Sequence, residues 1–239
     1  MKLTPPQRQA TIERIELLEA RQTRQERRRL FTFYPETGPL RRSLYAKHIT
    51  FFAAGAKYRE RCMMAGNRTG KTEGAGGYEV TLHLTGLYPG WWEGKRFAQP
   101  VRALVAGDTG TTVRDIVQRK LCGPPEKPGT GLVPFANFGA TTAKAGVPGA
   151  YDIVKVKHEP TGQWSELQFR SYDQGRIAFQ GTEREVVWCD EEPPKDVYDE
   201  CLLRTMTTGG IVICTFTPLN GLSEVALAFL PHLAPAPVD

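Results

Sequence analysis

The sequence has no apolar run approaching the roughly 20 residues that a membrane-crossing helix needs, and its charged N-terminus lacks the apolar stretch of a secretory signal. A soluble protein with no membrane partner is expected. It has no Cys-x-x-Cys pair, and its four histidines, His48, His83, His158 and His232, are scattered, so a zinc site has no ligand set. The five cysteines are odd in number and widely spaced. Cys62, Cys189 and Cys214 lie in apolar runs, which suits reduced, buried thiols in a cytoplasmic protein. The net charge is +5, but nearly all of it sits in residues 1–30, where Lys2 and seven arginines face four glutamates. Beyond that segment the chain is close to neutral, and composition shows no DNA-binding face on the main body.

What remains is a chain able to bury a full core: 239 residues, 40% of them hydrophobic, suit one generous domain or one plus an appendage. Thr4 ahead of Pro5 and Pro6 suits a helix start, and Ile12, Ile15 and Leu18 recur at three-residue spacing. The spacing predicts a basic amphipathic helix over residues 1–30. Its arginine-rich end either touches nucleic acid or a partner protein, or is a solvated face packed through one apolar stripe. Phe31-Thr32-Phe33-Tyr34-Pro35 then breaks the helix, and residues 31–239 are read as the main domain.

The main domain alternates strand and helix patterns. Strands are expected at 61–65, 101–107, 185–190 and 210–216, with helices at 45–54, 71–84, 112–121, 195–206 and 222–230. Residues 151–158 and 164–171 alternate polar and apolar around Glu159-Pro160-Thr161-Gly162, which predicts a hairpin. Residues 122–150 are rich in glycine and proline and are read as an excursion with little regular structure. This order predicts an α/β fold with a mainly parallel sheet covered on both faces.

Three groups of residues carry chemistry. Ala65-Gly66-Asn67-Arg68-Thr69-Gly70-Lys71-Thr72 stands between a strand and a helix. In such a loop Gly66, Asn67, Arg68, Thr69 and Gly70 present backbone N–H groups to phosphate. Lys71 reaches the β and γ phosphates, and the Thr72 hydroxyl is a Mg²⁺ ligand. The strict pattern has glycine at the position of Ala65. Second, the apolar run Val186-Val187-Trp188-Cys189 delivers Asp190 and Glu191 to the end of a strand. Asp190 there can hold Mg²⁺, and Glu191 can orient and deprotonate an attacking water. The plainer alternative is an acidic helix-capping cluster. Third, Thr215 and Thr217 flank Phe216, so in an extended segment both hydroxyls face the γ-phosphate side. A Thr-rich strand end stopped by Pro218 is the alternative.

In this order the three groups resemble the ATPase domain of the large terminase subunit of tailed bacteriophages, together with Tyr34-Pro35-Glu36-Thr37-Gly38-Pro39-Leu40-Arg41-Arg42. The resemblance spans roughly residues 31–231. It implies a P-loop NTPase of RecA-like, ASCE type: a three-layer sandwich that hydrolyses ATP with Mg²⁺ to drive double-stranded DNA into a procapsid. It implies Lys71 and Thr72 on phosphate and metal, Asp190 on metal, Glu191 as catalytic base, and Thr215 to Thr217 as the coupling segment. Arg68 is the candidate for the family's loop arginine, though it stands three residues before the lysine where four is commoner, and Arg114, Arg176, Arg184 and Arg204 are candidates for an arginine offered to a neighbouring subunit. The family's glutamine before the first strand has no counterpart here between Phe31 and Tyr58. The implied partners are DNA, portal protein and procapsid, the small terminase subunit, and a ring of copies that is monomeric in isolation, in the host cytoplasm. The family's nuclease domain is not expected in this chain. Two rivals stay open, another nucleic-acid translocase such as a two-lobed helicase, and a non-catalytic nucleotide-binding module.

Overall fold

Short, largely apolar runs form most of the strands, and five of them lie parallel side by side. The computed structural model describes residues 5–219 and 221–233, so the cap expected at Thr4 lies outside the described residues. The strands are β1 (Glu60–Met64), β2 (Arg102–Gly107), β3 (Phe138–Ala143), β4 (Tyr151–Lys157), β5 (Trp164–Ser171), β6 (Val186–Asp190) and β7 (Ile211–Phe216). They form one sheet in the order β1-β7-β6-β2-β5-β4-β3. The first five in that order run parallel, and β4 and β3 extend the sheet antiparallel.

The helices are α1 (Pro5–Glu26), α2 (Ala46–Ala54), a π turn (Lys71–Gly77) that runs on into α3 (Tyr78–Thr85), and a run through Gly110–Thr112, Val113–Gln118 and Arg119–Cys122, called α4. α5 (Lys195–Met206) and α6 (Glu224–Phe229) complete the set. Strand alternation divides the core into two layers. Val186, Trp188, Ile211 and Ile213 pack beneath α3 and α4. Val187, Cys189, Val212, Cys214 and Phe216 pack beneath α5 and α6. Sheet pairing sets Cys62 and Cys189 in register on either side of Cys214, and all five cysteines are free thiols.

Three expectations need correction. Residues 122–150 contain a strand, β3, whose Phe138-Gly139-Ala140-Thr141-Thr142-Ala143 sequence has a single large apolar residue and so no apolar run or alternation to mark it. The N-terminal helix stops at Glu26, and Arg29–Thr32 is a separate 3-10 turn. Its apolar stripe is not packed: Ile12 is 49% exposed, Ile15 48% and Leu18 54%.

A buried ion pair fixes α3 to β1. Arg61 donates two hydrogen bonds to the Glu79 carboxylate at 3.1 and 2.6 Å, and His83 Nε2 lies 3.2 Å from the same carboxylate. Burial alone would raise the Glu79 pKa, but the Arg61 charge together with the hydrogen bonds from His83 and Arg61 outweighs it and holds the group below its ordinary value.

Candidate active site

The parallel strands end together at one sheet edge, and the loop after β1 opens there. Two residues turn it with left-handed backbone, Arg68 at φ 63° and Gly70 at φ 86°. Ala65 is not among the positive-φ residues, so an alanine fits where the strict pattern has glycine. The Lys71 ammonium is folded into the loop. It donates to the Ala65 carbonyl at 2.8 Å, the Gly66 carbonyl at 2.8 Å and the Thr217 hydroxyl at 2.9 Å. Thr217 in turn donates to the Ala65 carbonyl at 2.9 Å, which ties the end of β7 to the loop.

The helix after the loop contains Gly74, Gly76 and Gly77, a poor composition for a helix. Close approaches explain two of them. A β-carbon at Gly76 would stand 2.2 Å from the Trp188 indole, and one at Gly77 2.9 Å from the Thr72 carbonyl. At Gly74 the neighbour is a tyrosine: the buried Tyr34 hydroxyl donates to the Gly74 carbonyl at 2.6 Å and meets His48 Nδ1 at 2.6 Å. Tyr34 has φ 54°, an uncommon backbone for a bulky residue. Beside these groups lies a cavity of about 330 Å³, lined among others by Arg29, Phe33, Tyr45, His48 and Glu73.

Across the edge, strand alternation puts Trp188 and Asp190 on the same side of the sheet as the glycine-rich helix. The Trp188 indole N–H donates to the Thr215 hydroxyl at 2.8 Å, and that hydroxyl donates to Asp190 Oδ1 at 2.9 Å. The Thr72 hydroxyl lies near enough to the Asp190 carboxyl to favour its charged form. Burial pushes the Asp190 pKa up to about 7; the adjacent Glu191 adds to the rise, and the bond from Thr215, the Thr72 hydroxyl nearby and the Lys71 charge oppose it. Glu191 is half-buried, and its pKa is raised by burial, with Lys71 opposing and Asp108 reinforcing. A hydroxyl beside a carboxylate is a hard oxygen donor set of the kind Mg²⁺ takes, and a cation there would return Asp190 to its charged form.

The structure therefore brings together Lys71, Thr72, Asp190, Thr215 and Thr217, with Glu191 next along the chain. Thr217 bonds the loop and Thr215 bonds Asp190, while Phe216 is buried in the opposite layer. Arg68 stands exposed at the loop tip and lines a second cavity of about 570 Å³ with Met64, Ala65, Thr69 and His48. Asn67 accepts from Thr217 at 3.2 Å, and Thr69 donates to the Gly66 carbonyl at 2.9 Å. Of the four arginines named from the sequence, Arg184 is buried against Gln168, out of a neighbour's reach. Arg176 and Arg204 both pair with Glu200, and Arg114 pairs with Asp115 and holds the Pro148 carbonyl. Sequence reasoning missed what Tyr34, His48 and Trp188 do at the site. Trp188 left a signal there as the large residue two before the acid, and Tyr34 as the first residue of the stretch that carries the resemblance.

The sequence model described as "Terminase large subunit, T4likevirus-type, N-terminal" matches residues 62–237. The chain belongs to the large terminase family. The large terminase subunit of Salmonella phage P22 is 38% identical over 240 residues, which cover 92% of this terminase chain and 46% of the P22 protein. The chain thus spans less than half the length of that curated relative. Among solved structures, the large terminase of a thermophilic bacteriophage in complex with ADP superposes with a TM-score of 0.56 at 13% identity, covering 79% of this chain and 42% of the other. A mutant ATPase domain of the Thermus phage P74-26 large terminase gives 0.50 at 18% identity over 71% of this chain and 63% of the other. These likenesses establish the fold, that of the P-loop ATPase domain of large terminases.

Proposed function

We propose that this terminase ATPase domain binds ATP with Mg²⁺ at the edge formed by the loop 65–72 and β6, hydrolyses it, and thereby drives double-stranded DNA into a procapsid. The observation that carries the reading is the meeting of Lys71, Thr72, Asp190 and Thr217 around one loop, with Glu191 beside them. The ADP complex of the thermophilic phage relative supports a nucleotide in that place. The cavity of about 330 Å³ beside Gly70 and Glu73 receives the adenine, with Phe33, Tyr34, Tyr45 and His48 as its walls. Residues 31–239 act as the ATPase domain, and the basic helix before them contacts DNA or a packaging partner.

In this mechanism the loop N–H groups and Lys71 hold the phosphates, so Lys71 exchanges its carbonyl partners for phosphate oxygens. Thr72 and Asp190 would hold Mg²⁺, which would supply charge neutralisation for the β- and γ-phosphates. The Glu191 carboxylate orients the attacking water and takes its proton, a role that a burial-raised pKa favours. The γ-phosphoryl group passes to that water and ADP leaves. Arg68 senses the phosphates from the loop tip. Loss of the γ-phosphate frees Lys71 to return to Thr217, which passes the change to β7.

The ring of copies on the portal and procapsid, the small terminase subunit, the host cytoplasm and the lack of nuclease activity in this chain complete the proposal. Glu191→Gln tests it: turnover should fall roughly 10²-fold or more while ATP binding persists. Unchanged turnover would favour a non-catalytic nucleotide-binding module. Isolated chains should hydrolyse ATP weakly, because an arginine from a neighbour is worth about 10³ to 10⁵ in rate where one is used. Vigorous turnover by a verified monomer would exclude that neighbour.

A further inference from the structure

Among the described residues, three that are not glycine have positive φ: Tyr34, Arg68 and Glu191, and all three border the nucleotide site. Such backbone persists only where its surroundings over-determine it. At Glu191, with φ 61°, the restraints can be named. Its N–H donates to the Thr215 carbonyl at 3.0 Å. On the other side of the turn, the Tyr172 hydroxyl is shared between the Asp190 carbonyl at 3.2 Å and the Glu191 carbonyl at 3.0 Å.

Tyr172 is itself held firmly. It is buried, and its ring lies 6.3 Å from the Phe179 ring at 28°. It opens the 3-10 turn Tyr172–Gln174, which Ser171 and Gln174 cap reciprocally. The Asp173 N–H donates to the Asp108 carbonyl at 3.2 Å, and Lys144 donates to Gln174 Oε1 at 3.1 Å. The hydroxyl thus reaches the acidic turn from a fixed point on the neighbouring connection.

We propose that Tyr172 is a positioning residue for hydrolysis: by bridging the Asp190 and Glu191 carbonyls, its hydroxyl fixes the left-handed turn that aims the Glu191 carboxylate. It touches neither nucleotide nor water and acts only through Glu191. The inference rests on the reading of Glu191 as the base. A carboxylate freed from this turn is misplaced by a fraction of its own length, and displacements near 1 Å cost on the order of 10²-fold in well-oriented reactions.

The test is a double-mutant cycle of Tyr172→Phe and Glu191→Gln on the full chain, read as steady-state ATP hydrolysis and ADP affinity. Phenylalanine keeps the ring and its packing and removes only the hydroxyl. Tyr172→Phe should lower kcat about tenfold or more while KM and ADP affinity stay within about twofold. In the Glu191→Gln background the same change should lower kcat by no more than about twofold, because its target is already gone. An equal loss in both backgrounds would show that the hydroxyl serves the fold, and would overturn the proposal. So would an unchanged kcat in Tyr172→Phe when Glu191→Gln is impaired. An unimpaired Glu191→Gln would instead remove the underlying reading of the site. Should Tyr172→Phe not fold, Gln174→Ala loosens the same turn and keeps the hydroxyl: a kcat loss of about threefold, absent in the Glu191→Gln background, supports the proposal, and no loss overturns it.

Discussion

α1 runs 22 residues without a glycine and leaves Ile12, Ile15 and Leu18 about half exposed, whereas the helix after the loop 65–70 holds Gly74, Gly76 and Gly77 and buries all of residues 74–85. By intrinsic propensity the first should be the better helix, since each glycine costs roughly 1 kcal/mol relative to alanine. The second is helical because its surroundings require it. Tyr34 bonds its Gly74 carbonyl, Trp188 fills the space a side chain at Gly76 would take, and Arg61 pairs with its Glu79. α1 meets the rest of the chain near its end, where the Arg27 carbonyl accepts from Phe135 and its guanidinium lies 4.2 Å from the Phe135 ring centre. The contrast separates a helix that makes itself from one that the site makes, and it can be broken at several points.

The largest effect is expected at the buried pair. Glu79→Ala leaves the Arg61 charge buried without its partner and should cost about 3–5 kcal/mol, read from the urea midpoint. Gly76→Ala comes next, at about 2 kcal/mol, because the new methyl overlaps the Trp188 ring and overpacking costs outweigh the helical preference of alanine. Combining it with Trp188→Leu sharpens the point: the pair should be less damaging than the sum of its parts by about 1 kcal/mol, and strict additivity would show that the glycine answers to something else. The smallest effect belongs to α1, where Ile15→Ser should change stability by less than about 0.5 kcal/mol. A loss above about 1 kcal/mol there would mean that the stripe is packed in solution.

How far the molecule can be read from its residues follows the same division. β6 and β7 were legible because buried parallel strands are continuous apolar runs, and α5 begins and ends at residues 195 and 206 as its pattern predicts. The loop, Asp190 and the two threonines announce themselves by type and spacing. β3 does not, since its residues are small and polar and sit among glycines and prolines, with bulged pairing to β4. Tyr34, although it opens the stretch that carries the resemblance, and Tyr172 gave no sign of the bonds they make. Each acts by giving a hydroxyl proton to main-chain carbonyls, 40 positions away for Gly74 and 18 to 19 for Asp190 and Glu191. Carbonyl groups are common to every residue, so no side-chain pattern marks the recipient.

The row of thiols across the sheet has a use at the bench. Cys122, Cys189, Cys201 and Cys214 are buried, and only Cys62 is half-buried. A thiol-specific reagent should therefore modify at most one position quickly, and the other four only as the layers part. Because Cys189 and Cys214 lie beneath α5 and Cys122 ends α4 in the opposite layer, the order in which they are labelled would report which side of the sheet opens first. The chain carries its own clock for local opening, readable by mass without any added probe.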